Sequence, residues 1–285
     1  MDVRPGTRTP ARIWTIEGAS GRIRTDTIVT EEPLEIRLIA GGERQTVAVT
    51  MRTPGNDFEL ATGFLHGEGV LADRDDIARI TYCVDPGVDA AQRYNIVNVT
   101  LRSGTLPDLA ALERHFLTTS ACGVCGKANL DALEMHGYPP LPPGPLLPID
   151  VLYRLPDQLR TGQGIFQKTG GLHAAALFDP DGTLLAIRED VGRHNALDKL
   201  IGWALLEGRL PLNRAVLLVS GRTSFEILQK SVAAGIPIVA AVSAPSSLAV
   251  DTARRFGTTL IGFLRGERCN IYTGRERIAL PEGGR

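Results

Sequence analysis

Two cysteines spaced three apart, in TSACGVCGK at residues 119–127, are the residues best suited to chemistry. Cys122 and Cys125 are each followed by glycine, and Lys127 lies just beyond. Structural zinc needs four ligands, usually from two such knuckles or with histidines at set spacings. No second C-x-x-C occurs, and His115 and His136 match no standard pattern. A thioredoxin-like dithiol follows a strand and opens a helix, whereas here a helical stretch, LPDLAALERHFL, precedes the pair. A persulfide carrier needs an accessible thiolate, and Lys127 favours thiolate over thiol. The second cysteine could then attack the persulfide, release sulfide to an acceptor and close a disulfide. The residues permit this route without selecting it.

Three further stretches carry polar groups where a ligand could sit. REDVGRHNALDK (188–199) crowds Arg188, Glu189, Asp190, Arg193, His194, Asn195, Asp198 and Lys199 into one strand-to-helix junction. A solvated helix start tolerates acids, but it has no need of an Arg-His-Asn trio. SGRTSFE (220–226) follows a buried apolar run with Ser220, a turn at Gly221, Arg222 and a capping-box pattern from Thr223 to Glu226. Free amides plus Arg222 would suit a phosphate, and an ordinary helix cap would look the same. His173, in TGGLHAAAL, sits on a strand that otherwise reads as buried. Alone it is a core histidine; beside the Asp190–His194 junction it becomes a wall of a site.

These groups need elements to hold them. At 285 residues and 43% hydrophobic the chain can bury a core, enough for one large domain or two unequal ones. A net charge of −1 offers no global argument for a nucleic-acid partner. Four cysteines, two of them isolated (Cys83 and Cys269), make no disulfide scaffold and fit a reducing cytoplasm. No apolar signal core or membrane-length run is found. Residues 1–25, rich in Arg, Gly and Thr, are expected as a loose tail. Residues 26–138 read as a smaller α+β domain carrying the Cys-x-x-Cys loop. In it two strands precede a helix in NDFELATGFLHG, with Asn56 as its cap and Glu59 at the capping-box position. Six prolines between Tyr138 and Pro148 mark 139–148 as a linker or extended edge. From 149 to 285, strands and helices alternate, which predicts an α/β domain with a mostly parallel sheet. The tail RCNIYTGRERIAL is expected to add a small hairpin.

Taken together and in order, TSACGVCGK, TGGLHAAAL, EDVGRHNALDK, SGRTSFE and FLRGERCNIYT resemble the FdhD family, sulfurtransferases that serve formate dehydrogenase as accessory proteins. The resemblance spans TEEPLEI through NIYT. It implies a larger three-layer domain of cytidine-deaminase-like architecture with a smaller N-terminal α+β domain, a cytoplasmic location and a homodimer. It implies sulfur taken as a persulfide from a cysteine desulfurase and passed to the bis(molybdopterin guanine dinucleotide) molybdenum cofactor, then insertion into the catalytic subunit of formate dehydrogenase. By this resemblance Cys122 carries the persulfide and Cys125 is the assisting or resolving thiol. Phe263, Leu264, Arg265, Gly266, Glu267 and Arg268 match the cofactor-binding segment. His173, Asp190, Arg193, His194, Ser220, Gly221 and Arg222 become contacts to a large anion. Arg265 and Arg268 can pair with pyrophosphate, and Phe263 can pack a flat ring. Deamination is not expected. A zinc deaminase pairs His-x-Glu with a later Cys-x-x-Cys, whereas here alanine follows at 175 and the cysteine pair lies upstream. No structural metal, nucleic acid or membrane is expected. The alternative is a non-catalytic chaperone that holds the cofactor.

Overall fold

A computed structural model describes residues 4–90, 92–108 and 138–281. The expected loose tail is instead an antiparallel hairpin, β1 (Arg8–Glu17) with β2 (Ser20–Val29), in which Trp14 opposes Ile23. Period-two alternation of Ile13, Thr15, Arg24 and Asp26 against Trp14, Ile16 and Ile23 drives it, and Gly18 turns it at φ 61°. Its apolar face stands open, with Trp14 64% exposed.

The N-terminal lobe is a four-stranded sheet in the order β4-β3-β6-β5, from β3 (Glu32–Ala40), β4 (Glu43–Arg52), β5 (Ile77–Tyr82) and β6 (Ile96–Leu101). Leu34, Ile36, Leu38, Val97 and Val99 bury one face against Leu60, Ala61 and Leu65 of α1 (Asp57–Gly67). The predicted capping box does not form. Asn56 takes a left-handed conformation with no side-chain cap, and Glu59 instead grips Arg188 through two bonds of 2.5 and 2.7 Å.

The C-terminal lobe is built on six strands in the order β13-β12-β11-β10-β8-β9. They are β8 (His173–Phe178), β9 (Leu184–Asp190), β10 (Val216–Val219), β11 (Ile238–Ala241), β12 (Thr259–Arg265) and β13 (Arg268–Thr273). Alternate residues face opposite cores. Ala175, Leu177, Leu217, Val219 and Val239 meet α4 (Arg193–Leu206), α5 (Phe225–Ala233) and α6 (Ser247–Phe256). Ala174, Ala176, Phe178, Leu218 and Ile238 meet α2 (Ile149–Gly162). A short α3 (Phe166–Thr169) precedes β8.

The sheet is not mostly parallel. Only β10–β11 and β11–β12 run parallel, while the other three pairings are antiparallel. For two of the three the reason is local: tight turns join β8 to β9 and β12 to β13, and such a turn can return a strand only beside its predecessor in reverse; β10 is reached from β9 through α4 and so runs with β9 and against β8. Nor does the C-terminal stretch fold on itself. Arg268–Thr273 pairs with β12, and β14 (Ile278–Ala279) pairs in parallel with β7 (Leu147–Pro148). The proline-rich segment thereby lies against the C-terminal lobe, with Leu141 N donating to Phe256 O at 2.8 Å.

The lobes meet where α1 crosses α4. A side chain on Gly63 would overlap the carbonyl of Asp198, and one on Gly202 the carbonyl of Glu59. Only glycine lets the backbones approach this closely. Leu205 of α4 completes the core of the N-terminal lobe. Among the described residues no helix is long and apolar enough to cross a membrane.

Candidate functional site

The parallel strands β10, β11 and β12 end together, and ligands of open α/β sheets bind at that edge. Because β8 runs against β10, its first residue, His173, lies at the same edge. Ser220 ties it there: its backbone N donates to Ala174 O, and Ala174 N donates to Ser220 Oγ, both at 2.9 Å. Gly221 follows, so close to its neighbours that a Cβ would stand 3.3 Å from His173 Nδ1 and 3.7 Å from Arg193 Cδ.

Arg193 and His194 open α4. Arg193 Nε is buried without a hydrogen-bond partner, an orphan donor beside His173. Arg222 is exposed. Burial, reinforced by the positive charges of Arg193 and His194 and opposed by Asp190, pushes His173 below the ordinary imidazole value. His173 therefore favours its neutral form in a cationic setting.

His194 Nε2 stands 3.0 Å from Glu226 Oε2 and 3.1 Å from Ser224 Oγ. The hydrogen bond from His194 holds the Glu226 carboxyl below its usual range, against the opposing effect of burial. Ser224 is the N-cap of α5 yet makes no capping bond with its side chain. The motif that reads as a capping box in sequence is thus turned toward His194.

Asp190 does not face this opening. It is 0% exposed and bonds Lys199 Nζ at 2.7 Å. It also accepts from Thr53 N at 3.1 Å, Gly192 N at 2.9 Å and Asn195 Nδ2 at 3.0 Å. Lys199 in turn donates to Thr53 O at 2.9 Å. Asp190 is a joint that fastens the β9–α4 turn to the N-terminal lobe.

A second patch lies three strand spacings from β8 along the same edge, about 14 Å at the usual inter-strand distance. Phe263, Arg265, Arg268 and Asn270 line a depression of about 380 Å³. Phe263 has φ 54°, left-handed for a bulky residue, and its N donates to Ser243 O at 3.1 Å. Such a conformation costs of order 1–3 kcal/mol and persists where the surroundings impose it. Here the bond to Ser243 and a register shift of the β12–β13 pairing between Gly262 and Arg265 constrain the chain at Phe263. Arg265 Nε donates to Val242 O at 3.2 Å. Leu264, by contrast, is 0% exposed and belongs to the core beneath α2, so it supports the patch from behind. Gly266 (φ 52°) and Glu267 form the exposed turn. Arg268 and Asn270 are exposed, while Cys269 between them packs toward the core.

The structure thus gathers His173, Arg193, His194, Ser220, Gly221 and Arg222 at one end of the edge, and Phe263, Arg265 and Arg268 at the other. Cys122 and Cys125, with Lys127, lie outside the described residues. Sequence reasoning missed the service of Glu226 and Ser224 to His194, and it missed Asn270. Only proximity in the fold reveals the first. For Asn270 the alternation of β13 gave a signal, since it shares a face with Arg268.

The FdhD/NarQ family model matches residues 29–279. The chain belongs to the FdhD/NarQ family. Over 261 residues it is 56% identical to a sulfur carrier protein FdhD of Streptomyces coelicolor, covering 90% of each chain. It is 53% identical over 268 residues to that of Mycolicibacterium paratuberculosis, covering 94% and 97%. A crystal structure from Desulfotalea psychrophila, described as a formate dehydrogenase accessory protein, superposes with TM-score 0.74 at 24% identity. It covers 96% of this chain and 100% of that one. That likeness supports the FdhD/NarQ fold: among the described residues, several sheets and six helices in the mixed α/β arrangement above.

Proposed function

We propose that this protein is a sulfur carrier. It accepts persulfide sulfur from a cysteine desulfurase on Cys122 and passes it to the bis(molybdopterin guanine dinucleotide) molybdenum cofactor before insertion into formate dehydrogenase. The observation that carries the reading is the high identity, over nine-tenths of both chains, to relatives named sulfur carrier protein FdhD. Cysteine chemistry supports it. Cys83 is buried, and burial pushes the half-buried Cys269 thiol up, so neither is a ready nucleophile. The carrier role falls to the Cys122–Cys125 pair.

In loading, the Cys122 thiolate attacks the outer sulfur of the donor persulfide and the donor leaves as a thiolate. In delivery, Cys125 thiolate attacks the inner sulfur of the Cys122 persulfide. The outer sulfur departs reduced to the sulfide level, and the two protein sulfurs are oxidised to a disulfide, which an external thiol must reduce before the next cycle. The acceptor is substrate here, and the carboxyl edge suits its anionic nucleotide ends. Phe263 offers a ring face, Arg265 and Arg268 offer guanidinium groups for pyrophosphate, and the orphan Arg193 Nε lies buried beside His173. A cytidine-deaminase-like layering of the larger lobe, a homodimer and a cytoplasmic location complete the proposal.

The test is intact mass spectrometry after incubation with an active cysteine desulfurase and L-cysteine. A reducible sulfur adduct in the wild type, absent from C122A, is expected. No adduct on the wild type would overturn sulfur transfer and leave a protein that only holds the cofactor.

A further inference from the structure

We propose that Glu226, assisted by Ser224, is a positioning residue for His194. It fixes the imidazole by Nε2 so that Nδ1 is the nitrogen turned to the carboxyl edge, where the Nδ1–H of the charged ring donates to an anionic ligand. The anion rests on the reading above, but the positioning does not. Both polar groups at the start of α5 serve His194 Nε2, at 3.0 and 3.1 Å. Ser224 makes no capping bond with its side chain at the N-cap where its hydroxyl would ordinarily be used. Among the described residues no bond engages Nδ1.

A carboxylate has only acceptor sites. Facing Glu226, a neutral His194 must place its proton on Nε2, which leaves a lone pair on Nδ1. A charged His194 keeps Nε2–H on Glu226 and turns Nδ1–H outward as a donor. The other charged groups around the pair are Arg193 and Asp198 on α4, Lys230 on α5, His173 on β8 and Asp190 at the end of β9. Glu226 is the acid in direct contact with the ring. His173 is held toward its neutral form nearby.

Two measurements test the proposal. The first is the ring nitrogen spectrum of His194 by long-range 1H–15N correlation at about pH 8.5, above the ordinary imidazole range. The His194 signal is assigned by its loss in H194A. The wild type and E226Q, whose amide oxygen still accepts, should show the Nε2–H tautomer, and E226A a mixture with Nδ1–H. An unchanged tautomer in E226A overturns the proposal. The second is calorimetric binding of inorganic pyrophosphate to wild type, E226A, H194A and the double variant. Each single substitution should weaken binding about tenfold, the size of one charge-assisted hydrogen bond. The double variant should bind like H194A, because Glu226 acts through His194. An undiminished E226A effect in the H194A background would overturn the proposal. Failure of the wild type to bind pyrophosphate would count against the ligand reading alone, and the tautomer would still decide the positioning.

Discussion

Replacing Lys199 or Asp190 separates a joint from a ligand contact. Lys199 is buried, and its Nζ touches Asp190 Oδ2 at 2.7 Å and Thr53 O at 2.9 Å. K199M leaves a carboxylate with 0% exposure facing a methyl group. Three neutral donors remain, Thr53 N, Gly192 N and Asn195 Nδ2, but no cation. Breaking a buried pair from one side costs about 3–5 kcal/mol, whereas replacing both partners by uncharged groups of similar volume is often near neutral. K199M should therefore lose about 3–5 kcal/mol, and D190N, which strands the ammonium, a similar amount. D190N/K199M should recover more than half of either loss. In urea, at a slope of about 3 kcal/mol/M for a chain of this size, the midpoint of either single variant falls by about 1 M or more. Equilibrium unfolding followed by circular dichroism reads this directly. Two results would refute the reasoning: a double variant no better than the singles, or a D190N protein of wild-type stability that no longer binds pyrophosphate. The second would make Asp190 a ligand contact after all.

Other substitutions address other parts of the structure. G202A forces a methyl group against the Glu59 carbonyl; because backbone cannot yield as a side chain does, the loss should reach about 3 kcal/mol, the upper end for overpacking, measured by the same urea titration. Burial and neighbouring cations depress His173, so the unfolded chain takes up its proton first. The wild type should lose stability as pH falls below 6.5 toward the folded value. H173N should show a shallower loss in melting temperature over that window. F263G removes a left-handed phenylalanine together with the ring face, so it should bind guanosine diphosphate more weakly without lowering the melting temperature. A lower melting temperature would show that the ring, and not the strain, dominates there.

Helices and strands of the C-terminal lobe were legible because their apolar spacing repeats: Leu197, Leu200, Ile201 and Leu205 announce α4, and VLLV announces β10. The direction of the edge strands was not, since strand alternation looks alike in parallel and antiparallel pairs. Residues 8–25 were hidden by their arginines and threonines, which suit the surface of a hairpin as well as a frayed end. At the candidate site, residue types pointed to the right segments. Their facing did not follow: Asp190 and Leu264 belong to motifs yet point inward, and Glu226 sits in a capping pattern yet serves another helix. Local sequence describes what a turn can bond to itself, as Asp190 does with Gly192 and Asn195, but the partners that turn these three inward or aside lie 9 to 137 positions or a whole layer away.

The glycine crossing of α1 and α4 has a practical meaning for ligand work. With Gly63 and Gly202 pressed into the opposite backbones and Leu205 lodged in the neighbouring core, the lobes are expected to melt as one cooperative unit. A ligand that occupies only the carboxyl edge then raises the melting point of the whole chain, by the linkage RT ln(1 + [L]/Kd). A single thermal-shift signal from Trp203, which packs against the C-terminal core, reports binding anywhere along that edge.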